Sequence, residues 1–238
     1  ASARFVTGGN LTTMAAMVAL AVEHYDAATA GIISADNPGA NGSEAALTSA
    51  LDKAGITYVS IKGGDNETDA GFQGLIRQAT AGNPDVLFSL YSDAGCIGAM
   101  RGRVALGITT PTISTAICAS GEVLDEVGDD ALGWSFIAVG SGGDTPAADE
   151  FAEIVDLARG DDETSSIGLG ALGITELMTL ARAANLVAED GAEVTGQSVY
   201  DMLSSADGLA TFPNDTPIEC GLVAAYPSVC SFEFPIGE

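Results

Sequence analysis

Residues 30–91 alternate between short apolar runs and segments of helical length, and this alternation constrains the fold more than any other feature. Three strands are predicted, at AGIISAD, at ITYVSIK and in the apolar run that follows NPD. NPGANG is predicted to form a turn before a helix capped by Ser43, and Thr68 or Asp69 is predicted to cap a second helix. Strands that are apolar throughout are buried on both faces, and helical connections allow them to run parallel. The pattern therefore predicts a right-handed βαβαβ core within a three-layer, doubly wound α/β fold.

The remainder of the chain continues this pattern and then breaks it. Further strands are predicted at TTPTISTA and GWSFIAV, with helices over 94–106 and after Ser120, which makes five strands in all. The composition changes at GSGGDTP. Three more helices are predicted, over 146–158, 166–188 and 197–204. The first of them has Phe151, Ile154, Val155 and Leu157 as its predicted apolar side. These helices have no obvious sheet of their own to cover.

The ends of the predicted strands carry small, polar and aromatic side chains. Ligands of open parallel sheets bind beyond the carboxyl ends of the strands, so these ends form the predicted binding edge. Such side chains suit a small polar ligand held against one aromatic wall, and ordinary turn chemistry is the alternative explanation. The candidate ligand-binding residues are Asp36, Asn37, Tyr91, Ser92, Asp93 and Thr115.

The charge of the chain excludes some partners. Asp and Glu number 33 against 8 Lys and Arg, which gives a net charge of −25 at pH 7. Nucleic acid phosphates and anionic membrane surfaces would be repelled by such a chain. An acidic surface suited to a salty environment and a compositional bias without functional meaning both explain the charge. No apolar run approaches the length needed to span a bilayer.

The four cysteines fall into two local pairs, Cys96 with Cys118 and Cys220 with Cys230. Metal binding would favour CxxC spacing and histidines, whereas the single histidine, His24, is distant in sequence. Two disulfides in an exported protein are therefore predicted, with reduced buried thiols as the alternative. The first bond would tie together the loops that follow the third and fourth strands.

Motifs for catalysis are weak. Gly168, Gly170 and Gly173 spell GxGxxG, but a dinucleotide fingerprint requires a buried strand directly before it, and GDDETSSI is polar and acidic. Small residues that let a helix pack closely are the preferred explanation. A nucleophilic hydrolase needs a Ser or Cys backed by a His, and His24 is predicted to be a partly buried structural residue. The sequence thus predicts no enzymatic activity, no metal site and no cofactor.

Several motifs resemble the type I periplasmic binding proteins of branched-chain amino acid ABC transporters. They are a helix before an apolar strand that ends in Asp36, a glycine-containing turn, the AGITYV strand, a TD helix start and NPDVLF before the third strand. SIGLGALGITELMTLARAANLV and VTGQSVYDML resemble later helices of that family. The resemblance implies a non-enzymatic solute-binding protein whose two α/β lobes close on a small polar ligand, an amino acid or a related amide or carboxylate.

The resemblance also implies a domain organisation and partners. Residues 1–140 would form the second lobe, 141–216 would supply helices to the other lobe, and 217–238 would return as an extended, disulfide-bonded segment. The opening sheet of the first lobe is not found in this sequence, so the chain is expected to correspond to the C-terminal portion of the family. The expected partners are a small polar solute and the membrane permease of an importer, in the periplasm or at the cell surface. A receptor ectodomain of the same fold and an enzyme on a Rossmann-like sheet are the alternatives.

Two departures from the family pattern affect the expected ligand. Ala40 stands where the family often has an aromatic residue, and Thr115, Ala116 and Ile117 stand where amino acid binders commonly place an acid. A buried ammonium without a carboxylate partner is costly. Asp93 is the hypothesised substitute for that acid.

Overall fold

The computed structural model describes residues 9–137, 146–159, 169–205, 209–212, 219–220, 230–231 and 236–237. The strands are β1 (Thr29–Ala35), β2 (Thr57–Gly63), β3 (Val86–Leu90), β4 (Thr112–Thr115), β5 (Trp134–Ile137), β6 (Glu219–Cys220), β7 (Cys230–Ser231) and β8 (Ile236–Gly237). The helices are α1 (Gly9–Glu23), α2 (Pro38–Ala54), α3 (Asp69–Ala79), α4 (Ala94–Ala105), α5 (Gly121–Val127), α6 (Pro146–Arg159), α7 (Leu169–Glu189) and α8 (Gly196–Ser205). Short 3-10 turns occupy Ala116–Ala119 and Gly128–Ala131.

The predicted parallel core is confirmed. The main sheet has the order β2-β1-β3-β4-β5-β8, and its first five strands are parallel, whereas β8 pairs antiparallel with β5. Gly31 in the centre of β1 pairs with Val59 on one side and with Leu87 on the other. The order β2-β1-β3-β4-β5 belongs to the doubly wound class, in which successive strands are added in opposite directions on either side of the point between β1 and β3.

Helices cover both faces of this sheet. The side chains of Ile33 and Leu87 pack with α3, α4 and α5 in one buried cluster. Ile32 and Phe88, which alternation directs to the opposite face, are also fully buried, and α2 contacts β1, β2 and β3. Three layers result, as predicted.

The helices α3 and α4 approach each other closely. Thr68 caps α3 by accepting a hydrogen bond from the Gly71 amide at 3.1 Å, which settles the choice between Thr68 and Asp69. The buried face of α3 carries Phe72, Leu75, Ile76 and Ala79, as its spacing predicts. A Cβ atom at Gly98 of α4 would overlap the Phe72 ring, so glycine is required at this contact.

Two predictions about the first half were wrong. NPGANG is not a turn before the helix, because α2 begins at Pro38 with Asn37 as its cap. Proline suits the first helical position, where its missing N–H is not needed, and the Asn37 side chain accepts from the Ala40 amide. The strand β2 is not buried on both faces, because it lies at one edge of the sheet, and Val59 is 54% exposed.

The helices α6, α7 and α8 form a separate cluster with short segments around Phe212. The rings of Phe151 and Phe212 lie 6.0 Å apart, and the Arg182 guanidinium lies 5.0 Å above the Phe212 ring. Thr179 on α7 accepts a hydrogen bond from the Phe212 amide at 3.0 Å. Leu157, predicted for the apolar side of α6, is instead 84% exposed.

Two glycines of the glycine motif lie on α7. Gly170 and Gly173 are helical, and Gly168 lies outside the described residues. A dinucleotide fingerprint needs a strand and a tight turn directly before the helix, and residues 160–168 lie outside the described part of the chain. Among the described residues, nothing lies within 4 Å of a Cβ added at Gly173, so the described contacts do not require glycine at that position.

Two compact units can be distinguished. The sheet unit contains β1–β5, α2–α5, β8 and α1 from Thr13 onward, and the helical unit contains α6–α8 with β6 and β7. In the helical unit, Cys220 and Cys230 are opposite each other in an antiparallel pair, and their disulfide stays a prediction. The assignment of 1–140, 141–216 and 217–238 to lobes also stays a prediction.

Candidate functional site

The carboxyl ends of the parallel strands define one edge of the sheet unit, called the carboxyl edge below. Ala35 at the end of β1 pairs with Gly63 at the end of β2, and Ser34 pairs with Leu90 at the end of β3. Thr115 at the end of β4 pairs with Ile137. All six candidate residues therefore lie at or just beyond this edge. Two of the segments, at Asp36–Asn37 and Tyr91–Asp93, flank the point between β1 and β3 where the strand order reverses.

Asp36 and Asn37 lie between β1 and α2, and both are held by neighbouring groups. The Asp36 amide donates to the Gly63 carbonyl at 2.7 Å, and its exposed carboxylate accepts from Asn41 Nδ2 at 3.3 Å. Both polar atoms of the Asn37 side chain form hydrogen bonds, since Oδ1 accepts from the Ala40 amide and Nδ2 donates to the Asp65 carboxylate. These contacts fix the β1–α2 junction against the loop that follows β2.

The strand-end rule also points to the loop after β2, which adds two acids, Asp65 and Glu67, that are not among the candidate ligand-binding residues. Asp65 is exposed and holds Asn37, and the Glu67 carboxylate accepts from the Gly64 amide at 2.7 Å. A Cβ at Gly63 would lie 2.9 Å from the Tyr91 hydroxyl oxygen and 3.1 Å from Glu67 Oε1. The absence of a side chain at Gly63 therefore lets both groups lie close to its backbone. The signal was present in GGDNETD, which joins glycines and acids directly after a strand.

Tyr91 is buried within the sheet unit. Its side chain is 3% exposed, and its ring meets Phe72 edge to face with 5.1 Å between centroids. Its hydroxyl has no hydrogen-bond partner among the described residues. Burial, with smaller contributions from the charges of Glu67 and Asp65, raises the pKa of Tyr91 to about 12. The ring contacts protein rather than solvent, and its predicted role as an aromatic wall stays a prediction.

Ser92 and Asp93 are exposed at the start of α4. Asp93 has φ 46° and ψ −120°, a combination that residues other than glycine rarely adopt, and its side chain makes no capping hydrogen bond. The carbonyl of Ser92 accepts from the Gly95 amide at 2.8 Å, and that of Asp93 accepts from the Cys96 amide at 3.0 Å. The Asp93 carboxylate is thus a charged group that is not used in capping its own helix.

The end of β4 is tied to the start of α4. Thr115 is half-buried and precedes the 3-10 turn that contains Cys118. Cys96 and Cys118 form a disulfide with 5.4 Å between Cα atoms, which confirms the predicted pairing. Ser114 donates to the Ser89 carbonyl at 2.9 Å, so its hydroxyl is used within the sheet.

The described residues set limits on other chemistry. Within them, no group of three or more His, Cys, Asp and Glu side chains is arranged to hold a metal ion. None of the helices that the structure describes is long and apolar enough to cross a membrane. His24, predicted to be partly buried, is exposed because α1 ends at Glu23.

Comparison with known families identifies the fold. The profile of a family described as periplasmic binding protein matches residues 4–218. The chain belongs to the periplasmic binding protein family. A comparison of its sequence with curated proteins gave no match.

Solved periplasmic binding proteins and related structures share the fold at low sequence identity. A leucine-binding protein from Thermotoga maritima superposes with a TM-score of 0.68 at 15% identity, covering 98% of this chain and 67% of the other. An extracellular ligand-binding receptor from Verminephrobacter eiseniae gives 0.72 at 15%, covering 98% and 64%. A solute-binding protein of an ABC transporter from Rhodopseudomonas palustris, in complex with 3,4-dihydroxybenzoic acid, gives 0.66 at 15%, covering 98% and 61%. This periplasmic binding protein chain therefore spans roughly two thirds of each of these relatives.

Proposed function

We propose that this chain is part of an exported solute-binding protein that captures a small polar solute between two lobes and delivers it to the membrane permease of an ABC importer. The observation that carries the proposal is the carboxyl edge of a periplasmic binding protein sheet, where Asp36, Asn37, Ser92, Asp93 and Thr115 follow or end neighbouring parallel strands. Ligands of doubly wound sheets bind at this edge, beside the point of strand reversal. Relatives of this fold that are named as solute-binding proteins of ABC transporters support the transport role.

The solute class we propose is an amino acid or a related amide or carboxylate. The acids of the carboxyl edge, Asp36, Asp65, Glu67 and Asp93, attract an ammonium group electrostatically. Thr115 stands where the resembling amino acid binders place an acid, so we assign contact with an ammonium group to Asp93. The relatives whose names include leucine and 3,4-dihydroxybenzoic acid show that this fold accommodates chemically different ligands.

A second candidate is a ligand-sensing receptor ectodomain. It is favoured by the similarity to an extracellular ligand-binding receptor. The two candidates share the same ligand site and differ in the membrane partner. An enzymatic role has less support, because the relatives described above are named as binding proteins or receptors.

Titration of the chain with a solute panel by isothermal calorimetry tests the proposed function. The panel contains leucine, asparagine, 3,4-dihydroxybenzoate, glycerol and ATP, which represent amino acids, amides, acids, polyols and nucleotides. We expect saturable binding of at least one amino acid, amide or acid. Binding of ATP alone would contradict the proposal.

The role of Asp93 is tested with a charge-matched pair of variants. Asp93→Asn should weaken binding of an amino acid by about tenfold or more, because a buried ammonium loses its charged partner. Asp125→Asn removes the same charge from an exposed position on α5 and should leave the affinity within about twofold. Equal effects of the two substitutions would remove Asp93 from the site.

A further inference from the structure

The loop from Ser92 to Gly95 connects two points that the structure holds firmly. On one side, Tyr91 is 3% exposed and packs against Gly95, where an added Cβ would lie 2.6 Å from the Tyr91 ring. On the other side, Cys96 is fully buried and bonded to Cys118. Only four residues connect Tyr91 to Cys96. The path open to these residues is therefore set by their surroundings more than by their own conformational preferences.

The disulfide lies directly beneath this loop. The Sγ atoms of Cys96 and Cys118 are each 3.5 Å from the carbonyl oxygen of Tyr91, the residue from which the loop begins. Cys118 Sγ is also 3.3 Å from the Ser114 hydroxyl, which is itself bonded to the Ser89 carbonyl of β3. The bond thus joins the first turn of α4 to the 3-10 turn that follows β4, and both sulfur atoms lie beside the end of β3.

Asp93, within this loop, has an unfavourable backbone conformation. Its φ of 46° lies on the side of conformational space that disfavours side chains, and its ψ of −120° lies far from the small left-handed region that Asp tolerates. Its side chain makes no capping hydrogen bond that would offset the free-energy cost of this conformation. Such backbone conformations persist only where the surrounding structure imposes them.

We infer that the Cys96–Cys118 disulfide is a positioning element that imposes the conformation of Asp93 and thereby presents Ser92 and Asp93 in a fixed geometry at the carboxyl edge. The inference has two parts. The mechanical part, coupling between the disulfide and the Asp93 backbone, is independent of any ligand. The binding part, a gain in affinity from a loop that is already ordered, rests on the proposed function.

A double-mutant cycle measures the mechanical part without ligand. Asp93→Gly removes the conformational penalty, so it should raise the Tm of the disulfide-bonded chain by roughly 3 °C or more. In the Cys96→Ala/Cys118→Ala background the loop can relax by itself, so the same substitution should raise the Tm by less than half as much. Equal gains in both backgrounds would overturn the inference.

A matched control is available in the same unit. Asn83 also has a positive φ, of 50°, and lies in the turn before β3, away from the disulfide. Asn83→Gly should change the Tm equally with and without the disulfide, because nothing couples the two sites. If the cysteine-free protein does not fold, the disulfide-bonded variants still decide: a gain from Asp93→Gly no larger than that from Asn83→Gly would overturn the inference.

The binding part is measured with leucine and 3,4-dihydroxybenzoate as probes. Where a probe binds the chain, Cys96→Ala/Cys118→Ala should weaken it by about tenfold, because the loop must then be ordered on binding. Replacement of Cys220 and Cys230 by alanine controls for loss of cysteines elsewhere and should change affinity by less than about twofold. Unchanged affinity in the first variant would overturn the binding part. If neither probe binds, the proposed function loses support, and the cycle at Asp93 alone decides the inference.

Discussion

Asp85 and Arg103 at the amino edge of the parallel sheet differ in their hydrogen bonding from Tyr91 and Asp93 at its carboxyl edge. At the amino edge, where the strands begin, Asp85 Oδ2 accepts from the Ala28 amide, the Thr29 amide and the Thr29 hydroxyl at 2.8–3.0 Å. Arg103 donates to the carbonyls of Thr110 and Leu132, which precede β4 and β5. At the carboxyl edge, a buried hydroxyl has no partner among the described residues, and Asp93 has an unfavourable backbone conformation.

This difference separates stability from binding. Polar groups that are fully bonded stabilise the fold, whereas unpaired or strained groups cost free energy and are retained where a ligand can use them. We therefore expect Asp85 and Arg103 at the amino edge to stabilise the fold, whereas the carboxyl edge is the proposed ligand site. The predictions that follow test this contrast.

The largest effect is expected at Arg103. Its side chain is 5% exposed, and burial lowers the pKa of its guanidinium from the ordinary value. Arg103→Met should reduce the free energy of unfolding by about 2–4 kcal/mol, because the hydrogen bonds from the buried guanidinium to two part-buried carbonyls are lost. Urea denaturation followed by circular dichroism measures this. Arg101→Met, which breaks an exposed ion pair with Glu126, should cost less than about 1 kcal/mol, and similar losses in the two variants would contradict the contrast.

The next effect is a pH dependence set by Asp85. The hydrogen bond from the Thr29 side chain, followed by those from the Ala28 and Thr29 amides, lowers the pKa of Asp85 from 3.8. A lowered folded-state pKa contributes stability above the unfolded-state value, and this is lost as the pH falls through the folded-state pKa.

Asp85→Asn should therefore lower the Tm at pH 7, and its difference from the unmodified chain should narrow as the pH falls below about 4. Thermal melts between pH 2.5 and pH 7 measure this. Asp125→Asn, on an exposed helix position, serves as the control and should follow the unmodified curve closely. A difference that stays constant over the whole pH range would show that the Asp85 charge is not responsible.

The smallest effect distinguishes two tyrosines. Tyr25 shares a hydrogen bond of 2.7 Å with the Ser135 hydroxyl, so Tyr25→Phe should cost about 1 kcal/mol of unfolding free energy. The Tyr91 hydroxyl lacks such a partner, so Tyr91→Phe should be neutral or stabilising by up to about 1 kcal/mol. Parallel urea titrations of both variants measure the difference. A loss at Tyr91 as large as that at Tyr25 would contradict the absence of a hydrogen bond at the Tyr91 hydroxyl.

The sequence was sufficient for the parallel core because burial and helical spacing are local signals. Apolar runs identified β1 and β3, and Gly55, which follows α2 with a φ of 74°, is a residue type that commonly ends helices in the left-handed conformation. The start of α2 was missed because Ser43 and Asn37 are both good caps, and the proline after Asn37 decides between them. The exposure of Val59 was missed because strand order is not encoded in the periodicity of a single strand.

At the candidate site, residue types were predictable and their surroundings were not. Asp36 and Asp93 follow strands, so their position at the carboxyl edge follows from parallel topology alone. The burial of Tyr91 depends on Gly95, four residues later, which leaves room for its ring, and on Gly63 at the end of β2, which leaves room for its hydroxyl. Contacts between distant segments of this kind are invisible in composition or spacing.

The edge position of β2 has a further consequence for behaviour in solution. Its outer row of amide and carbonyl groups is not paired with any strand in the described part of the chain, and such a row can recruit another extended chain. Each molecule carries a net charge of −25, so two molecules repel each other before these rows can meet. This repulsion acts over about 10 Å in 0.1 M salt and only about 3 Å in 1 M salt. Self-association through β2 should therefore be controlled by ionic strength, and it would be suppressed most strongly in dilute buffers.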